Sequence, residues 1–275
     1  SGRGAVARQA EILRSAGADV ALILPNSWSS ALAAWRASIP RRIGRRGSGR
    51  GWILSDRLSP IPGPAPMTAL YAELLAPLGL GLSPGTALPA ARLTLTRPRP
   101  AALSADFRWL GVAPGAAFGP SKQYPEATLV EAVRLACRSH GLQPAWIGSP
   151  DEEPQLRALA EDMRARHRIE GAIICGDLGA AKSAIAACAA LLAMDNGARH
   201  IAAALGVPQA VIYGPTHPAW SAHALERTVI VRREGLACLA CHHKHCPLPN
   251  HPCMRELAPE FVAEAIGKAV QMPTK

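Results

Sequence analysis

Two hydrophobic patterns alternate along the chain. Short, nearly continuous aliphatic runs are each followed by longer Ala/Leu-rich stretches with apolar residues at helical spacing. This is the signature of strands buried in a parallel sheet and joined by crossover helices, so it predicts an α/β fold. In the first third, residues 5–16 read as a helix closed by Gly17. DVALIL (19–24) reads as a buried strand turning out through Pro25, Asn26 and Ser27, and residues 29–37 as the next helix. A short strand is expected around Ile43, followed by an Arg/Gly-rich loop, a Pro-rich stretch (59–66) and a helix (68–78).

The second half is more regular. Strands are expected at 109–113, 144–147, 172–175, 191–194 and 209–213. Helices are expected at 125–140 (with Gly141 after it), 151–166, 180–188 and 197–205. Five βα-type units in a row make a nucleotide-binding-sized doubly wound sheet. Between the halves, residues 79–105 are dense in Pro, Gly, Ser and Arg, with one further strand expected at 91–95. That is a linker composition. The division expected is 1–104 for a first domain plus linker, 105–257 for a second domain, and 258–275 for a C-terminal helix packing back on the first.

Composition narrows the partners. The 275 residues carry a formal charge of +10, which suits an anionic ligand, nucleic acid or an acidic membrane face. Aromatics are only 4%, a poor supply for base stacking, and no nucleic-acid recognition motif is present, so nucleic acid is not expected. Seven arginines fall between Arg36 and Arg57; the choice there is between a solvated, disordered basic loop and an anion-facing surface. The longest apolar stretch, residues 184–194, is too short to span a bilayer. No apolar signal-peptide core follows the first arginines, which favours the cytosol.

Chemistry concentrates at four turns, each just past the carboxyl end of a predicted strand, where doubly wound sheets bind their ligands. In Pro114–Gly115–Ala116–Ala117–Phe118–Gly119–Pro120–Ser121–Lys122, small residues let backbone N–H groups approach a phosphate and Lys122 adds charge; the alternative is a plain loop with a surface lysine. In Gly148–Ser149–Pro150–Asp151–Glu152, an acid could accept from ribose hydroxyls, or merely suit a helix N-terminus. In Asp195–Asn196–Gly197–Ala198–Arg199–His200, a carboxylate, free N–H groups and an imidazole meet at a helix start, as for a pyrophosphate or as an ordinary cap. Gly214–Pro215–Thr216–His217 is the fourth.

Together these turns resemble the PGA…K.WP, GSP.D/E, D-[ST]-G-x-x-H and GPT-[DE]-P signatures of the ADP-heptose:lipopolysaccharide heptosyltransferases. These are glycosyltransferases of family 9 with the GT-B fold. LPNSWSSALAAWRASIPRRIGRRGSGRGWILSDRL and CLACHHKHCPLPNHPCMREL are similar to the acceptor-side segment and tail of the heptosyltransferase II branch. The resemblance implies two Rossmann-like doubly wound domains and metal-independent, inverting transfer of heptose from ADP-heptose to the inner core of lipopolysaccharide. The enzyme would be cytoplasmic and peripheral to the inner membrane, with the acceptor at the membrane's cytoplasmic face. By the same resemblance it would need no cofactor.

Carried over residue by residue, Lys122 and Ser121 would meet phosphate or sugar, Ala116 and Ala117 would supply amides, and Asp151 or Glu152 would meet the ribose. Asp195, Asn196, Gly197 and His200 would hold diphosphate and heptose. Asn26, Ser27, Arg41 and Arg42 would face the acceptor. Three positions depart from the pattern: Asn196 for Ser or Thr, His217 for the acid after GPT, and Tyr124 for Trp before Pro125. The family's opening strand and Gly-Asp turn, with its general base, has no counterpart here, so the first domain is expected to be incomplete and no catalytic base is assigned. Two other readings stay open: a related transferase using another sugar, and a truncated module that binds ADP-sugar without turnover.

Cys238, Cys241, Cys246 and Cys253 form C-x2-C-x4-C-x6-C with histidines interspersed. Structural zinc and reduced, packed thiols are both open readings, with packed thiols favoured. Cys137, Cys175 and Cys188 lie in apolar runs and are expected in the core.

Overall fold

The computed structural model describes residues 3–61, 63–81, 88, 91–222 and 225–273. The chain divides into two compact units, Ser1–Pro89 with Ala219–Ala222, and Ala90–Pro218 with His223–Lys275. Both are α/β with parallel sheets.

The first unit contains α1 (Arg3–Ser15), β1 (Val20–Ile23), α2 (Trp28–Arg36), β2 (Arg41–Arg45), β3 (Asp56–Leu58) and α3 (Met67–Ala72). Its sheet runs β1-β2-β3, all parallel. Ile23, Ala31, Ala34, Ile39, Ile53 and Leu54 form the core. Among the described residues β1 pairs with β2 on one side, and Val20, Leu22 and Leu24 are exposed where a buried strand was expected. The arginine-rich stretch is an ordered strand, turn and 3-10 helix (Arg50–Ile53), not a disordered loop.

The second unit contains β4 (Arg108–Ala113), α4 (Glu126–His140), β5 (Leu142–Gly148), α5 (Glu153–His167), β6 (Ala172–Cys175), α6 (Leu178–Ala186), β7 (Cys188–Met194), α7 (Gly197–Leu205), β8 (Gln209–Ile212), β9 (Thr228–Val231), α8 (Pro252–Arg255) and α9 (Pro259–Val270). The sheet order β6-β5-β4-β7-β8-β9 is that of a doubly wound nucleotide-binding domain, reversing direction between β4 and β7. These two central strands are apolar on both faces because helices cover both sides: Leu110, Val112, Leu191, Leu192 and Ala193 are all fully buried.

Three expectations are corrected. Residues 91–96 form no strand; Leu93 and Leu95 are exposed, and the Leu93 N–H goes to the Ala204 carbonyl (3.4 Å) instead of a ladder. Residues 90–104 belong to the second unit, not to a linker ending at 104: Arg97 forms a bidentate pair with Asp177 (2.7 Å for both bonds), and Leu103 is part of the core beneath β4. The C-terminal helix α9 packs within the second unit. Val262, Ala265, Ile266 and Ala269 join Leu129, Val130 and Val133 of α4 in the second unit's core. The approach is close enough that a Cβ on Gly267 would sit 2.5 Å from His140 Nε2, so a larger residue there would displace that imidazole.

Candidate functional site

The sheet reverses between β4 and β7, and the loops leaving these two strands splay apart there. A cleft of about 290 Å³ opens at this point, lined by residues following β4, β5, β6 and β7. Gly115 and Ala117 come from the first loop, Ser149 and Glu152 from the second, Asp177 and Leu178 from the third, and Asn196 and Gly197 from the fourth.

Local sequence explains each wall. The Asn196 side chain accepts from the Ala198 N–H (3.0 Å) and so caps α7. Its Nδ2 donates to the carbonyls of Ala113 (3.1 Å) and Gly115 (2.8 Å), tying the β7 turn to the β4 turn. At this departure from the family pattern the one amide does both jobs. Glu152 Oε2 accepts from the N–H (2.8 Å) and hydroxyl (2.9 Å) of Ser149, a capping box that fixes its carboxylate in the cleft. Glu152 Oε1 would lie 1.7 Å from a Cβ on Gly115, so any side chain at that position displaces the carboxylate from the cleft wall. Of the two candidate acids, Glu152 lines the cleft and Asp151 is exposed outside it.

Beside the cleft lies a buried polar cluster. Lys122 Nζ donates to the Asp195 carbonyl and to Asp195 Oδ2, both at 2.7 Å, and the Thr216 hydroxyl donates to the same Oδ2 at 2.7 Å. Lys122 also sits 4.9 Å from the centroid of the Phe118 ring. Burial pushes the Asp195 carboxyl up, but Lys122, the Thr216 hydroxyl and the Arg199 charge outweigh it and hold the group below the usual carboxylate range. Burial, His217 and Lys122 together lower the His242 pKa, which keeps a neutral imidazole at neutral pH. His217, standing where the family pattern has an acid, therefore belongs to this cluster.

Ser121 is not at the cleft. Its hydroxyl donates to the His243 carbonyl (2.6 Å), its N–H to the Lys244 carbonyl (3.1 Å), and His251 Nε2 donates to its carbonyl (2.9 Å). Ser121 thus braces the loop bearing Lys122 against the cysteine-rich segment. His200 lies on α7 with Nδ1 3.5 Å from the Arg199 guanidinium, and Ala116 adjoins Ala117 without lining the cleft. Tyr124 is buried and donates to the Leu257 carbonyl (2.7 Å), so its phenol has a defined partner where the family has an indole.

On the first unit, Asn26 and Ser27 follow β1 at its carboxyl end, the ligand edge. Arg41 and Arg42 open β2 and so lie at the opposite end. They are spent on structure: Arg41 pairs with Asp56 (2.9 Å) and the Pro77 carbonyl (2.6 Å), and Arg42 donates to the Ile53 carbonyl (2.7 Å). The acceptor assignment of those two arginines is corrected accordingly. Arg50, missed in the sequence, is fully buried and donates to the carbonyls of Arg45 (2.9 Å), Pro25 (2.6 Å) and Ser27 (3.1 Å) and to Asn26 Oδ1 (2.9 Å).

All seven cysteines are free thiols. Burial, then the neighbouring Cys246, Cys238 and Cys241, push the Cys253 thiol up to about 11. Among the described residues, no group of three or more His, Cys, Asp or Glu side chains is disposed to hold a metal ion. Also among them, no helix is long and apolar enough to cross a membrane. Cys137 and Cys188 are buried in the core as expected, whereas Cys175 is only half-buried.

Comparison with known proteins agrees with this architecture. Lipooligosaccharide heptosyltransferase 2 of Haemophilus ducreyi is 26% identical over 91% of this chain and 76% of its own length. The structure of the Escherichia coli ADP-heptose lipopolysaccharide heptosyltransferase II superposes with a TM-score of 0.71 at 24% identity, covering 97% of this chain and 81% of that one. The E. coli heptosyltransferase WaaC solved with ADP gives a TM-score of 0.63 at 15% identity, over 96% and 78% of the two chains. These structures share the GT-B fold with the present chain. The sequence profile of glycosyltransferase family 9 (heptosyltransferase) matches residues 6–251, and the chain belongs to that family.

Proposed function

We propose that the chain takes part in transfer of heptose from ADP-heptose to the inner core of lipopolysaccharide, in the manner of heptosyltransferase II, at the cytoplasmic face of the inner membrane. The observation that carries this is the cleft at the β4/β7 reversal, with Glu152 on one wall and the α7 N-terminus on the other. Glu152 Oε1, not used by the capping box, accepts from the nucleoside ribose. The amides of Ala116, Ala117 and Gly197 and the positive end of α7 receive the diphosphate. Lys122 and Asp195, with His200 on the same helix, border the diphosphate and sugar. Asn26 and Ser27 face the acceptor.

In the transfer, an acceptor hydroxyl oxygen attacks the anomeric carbon and loses its proton to a base. The bond from that carbon to the diphosphate breaks, and ADP leaves with the electron pair. Inversion follows from attack opposite the leaving group. The charge that grows on ADP is met by oriented N–H groups and Lys122, so no divalent cation is required. Calorimetric titration with ADP-heptose, beside UDP- and GDP-sugars, tests the reading. Selective binding of the ADP-sugar, weakened in Glu152→Ala, is expected; equal or tighter binding of a UDP-sugar contradicts it.

A further inference from the structure

A second cavity, of about 330 Å³, opens where β4, β5 and β6 begin, at the opposite strand ends from the cleft at the β4/β7 reversal. Its walls include Phe107 and Trp109 at the start of β4, Gln143 in β5, and Glu170 and Gly171 just before β6. Parallel pairing gathers them. Trp109 lies opposite Gln143 and Ala145 opposite Ala172, so these side chains share one face of the sheet.

The walls are built before any ligand arrives. Phe107 and Trp109 make an aromatic corner, with ring centroids 5.9 Å apart and planes at 78°. Trp109 Nε1 donates to the Ser104 carbonyl (2.8 Å), which fixes the ring and uses its one donor. A Cβ on Gly171 would fall 2.8 Å from the Pro144 carbonyl oxygen, so the chain entering β6 lies directly against β5.

The polar groups call for a donor. Gln143 Oε1 is buried and accepts no hydrogen bond among the described residues, an arrangement that costs free energy. No bond to that oxygen opposes a half-turn about Cγ–Cδ, which exchanges it with Nε2. Glu170 is exposed and forms no ion pair among the described residues; Arg164, which senses its charge, is paired with Glu161 (2.7 Å). In a chain with 30 Lys and Arg, no described residue lining this cavity is Lys, Arg or His. A carboxylate, an amide oxygen and two ring faces are all electron-rich, and together they favour a cation that carries N–H groups. A hard metal ion needs more oxygen ligands than these two side chains offer.

We propose that this cavity binds a primary organic ammonium ion, whose N–H groups meet the Glu170 carboxylate and Gln143 Oε1 while its charge lies in the Phe107–Trp109 corner. The inference is independent of the ADP-heptose reading, and its test contains no nucleotide.

The full chain, with isotope-labelled tryptophan, is titrated with propylammonium chloride and, at matched ionic strength, with propanol. The indole N–H resonance followed is the one that disappears in Trp109→Phe. A saturable shift in the millimolar range is expected with propylammonium, and affinity for propanol should be at least about ten-fold weaker. Glu170→Gln should weaken propylammonium binding about five-fold. Gln143→Leu should weaken it by a similar factor, about five-fold, yet melt no lower than the parent, because the buried oxygen it removes has no partner. Glu170 is exposed and without an ion pair, so its variant keeps the fold and carries the test even if Gln143→Leu does not. The proposal is overturned by absence of a saturable shift, by propanol binding as tightly as propylammonium, or by parent-like affinity in either folded variant.

Discussion

Lys122 Nζ donates to both the main-chain carbonyl and the Oδ2 of Asp195, 73 residues away, at 2.7 Å each. The cation proposed to meet a diphosphate is therefore already fixed in direction by a carboxylate. The pair is nearly closed to water, so removing the lysine leaves a buried carboxylate without its ammonium partner. Lys122→Ala is expected to lose about 3 kcal/mol of stability, along with at least ten-fold in ADP affinity. Urea unfolding and calorimetry measure the two losses separately. If ADP affinity is unchanged in a folded Lys122→Ala, Lys122 serves Asp195 alone.

The same pair sets a pH dependence. The Asp195 carboxyl lies below its ordinary value of 3.8 in the folded state. A depressed carboxylate stabilises the fold above the unfolded pKa and loses that contribution as pH falls through the folded one. The parent chain should thus lose stability from about pH 5 downward more steeply than Asp195→Asn, which has no proton to take up at that position. Parallel slopes for the two proteins between pH 6 and 3 would show that Asp195 is not depressed.

How much of this could be read in advance depends on whether a feature is local. The β4–β8 units were legible because each strand and helix of a doubly wound sheet announces itself in a run of residues. The four ligand-type turns were legible because they follow strand ends. What was misread depends on partners far away in sequence. Ser121 reads as a ligand residue until His243 and Lys244 are seen to take its hydroxyl and N–H. Arg41 and Arg42 read as an anion site because sequence does not show that they open β2 at the end away from the ligand edge. Arg199 and His242 gave no usable signal: one is an arginine in a helix, the other a histidine in a cysteine-rich run. The exposed side chains of β1 were illegible because DVALIL reads the same whether one neighbour or two cover it.

Gly115 and Glu152 supply a paired test of the cleft. A methyl at residue 115 would meet Glu152 Oε1 at 1.7 Å, but that oxygen ends a flexible side chain. Gly115→Ala should therefore swing Glu152 out of its capping box, costing only about 1 kcal/mol while reducing ADP affinity markedly. Glu152→Ala should weaken ADP without the clash. In the double variant the two affinity losses should fall well short of adding, because both act on one carboxylate. Fully additive losses in calorimetry would separate the two residues.

The fourth prediction concerns the cysteine-rich segment, and it follows from bonds that do not involve sulfur. Residues 243, 244 and 251 hold Ser121 through three hydrogen bonds, and Gly119 packs against the Lys244 carbonyl, where a Cβ would come within 2.8 Å. The loop carrying Lys122 is therefore only as rigid as this segment. Bulky alkylation of Cys238, Cys241 or Cys246, which are half-buried, should displace the segment and lower ADP affinity by loosening Lys122. Cys137 and Cys188, pushed up by burial to about 12, and Cys253, at about 11, should react far more slowly, since the thiolate is the nucleophile. Mass spectrometry after brief maleimide treatment at pH 7 should find label at Cys238, Cys241 and Cys246 before those three. Calorimetry on the labelled protein should show weaker ADP binding, and the effect should be the same in EDTA, because it arises from the brace and not from loss of an ion. If labelling of these cysteines leaves ADP affinity within two-fold, the segment does not position Lys122. If EDTA alone weakens binding as much as the label does, and added zinc restores it, a metal holds the segment and the thiols are its ligands.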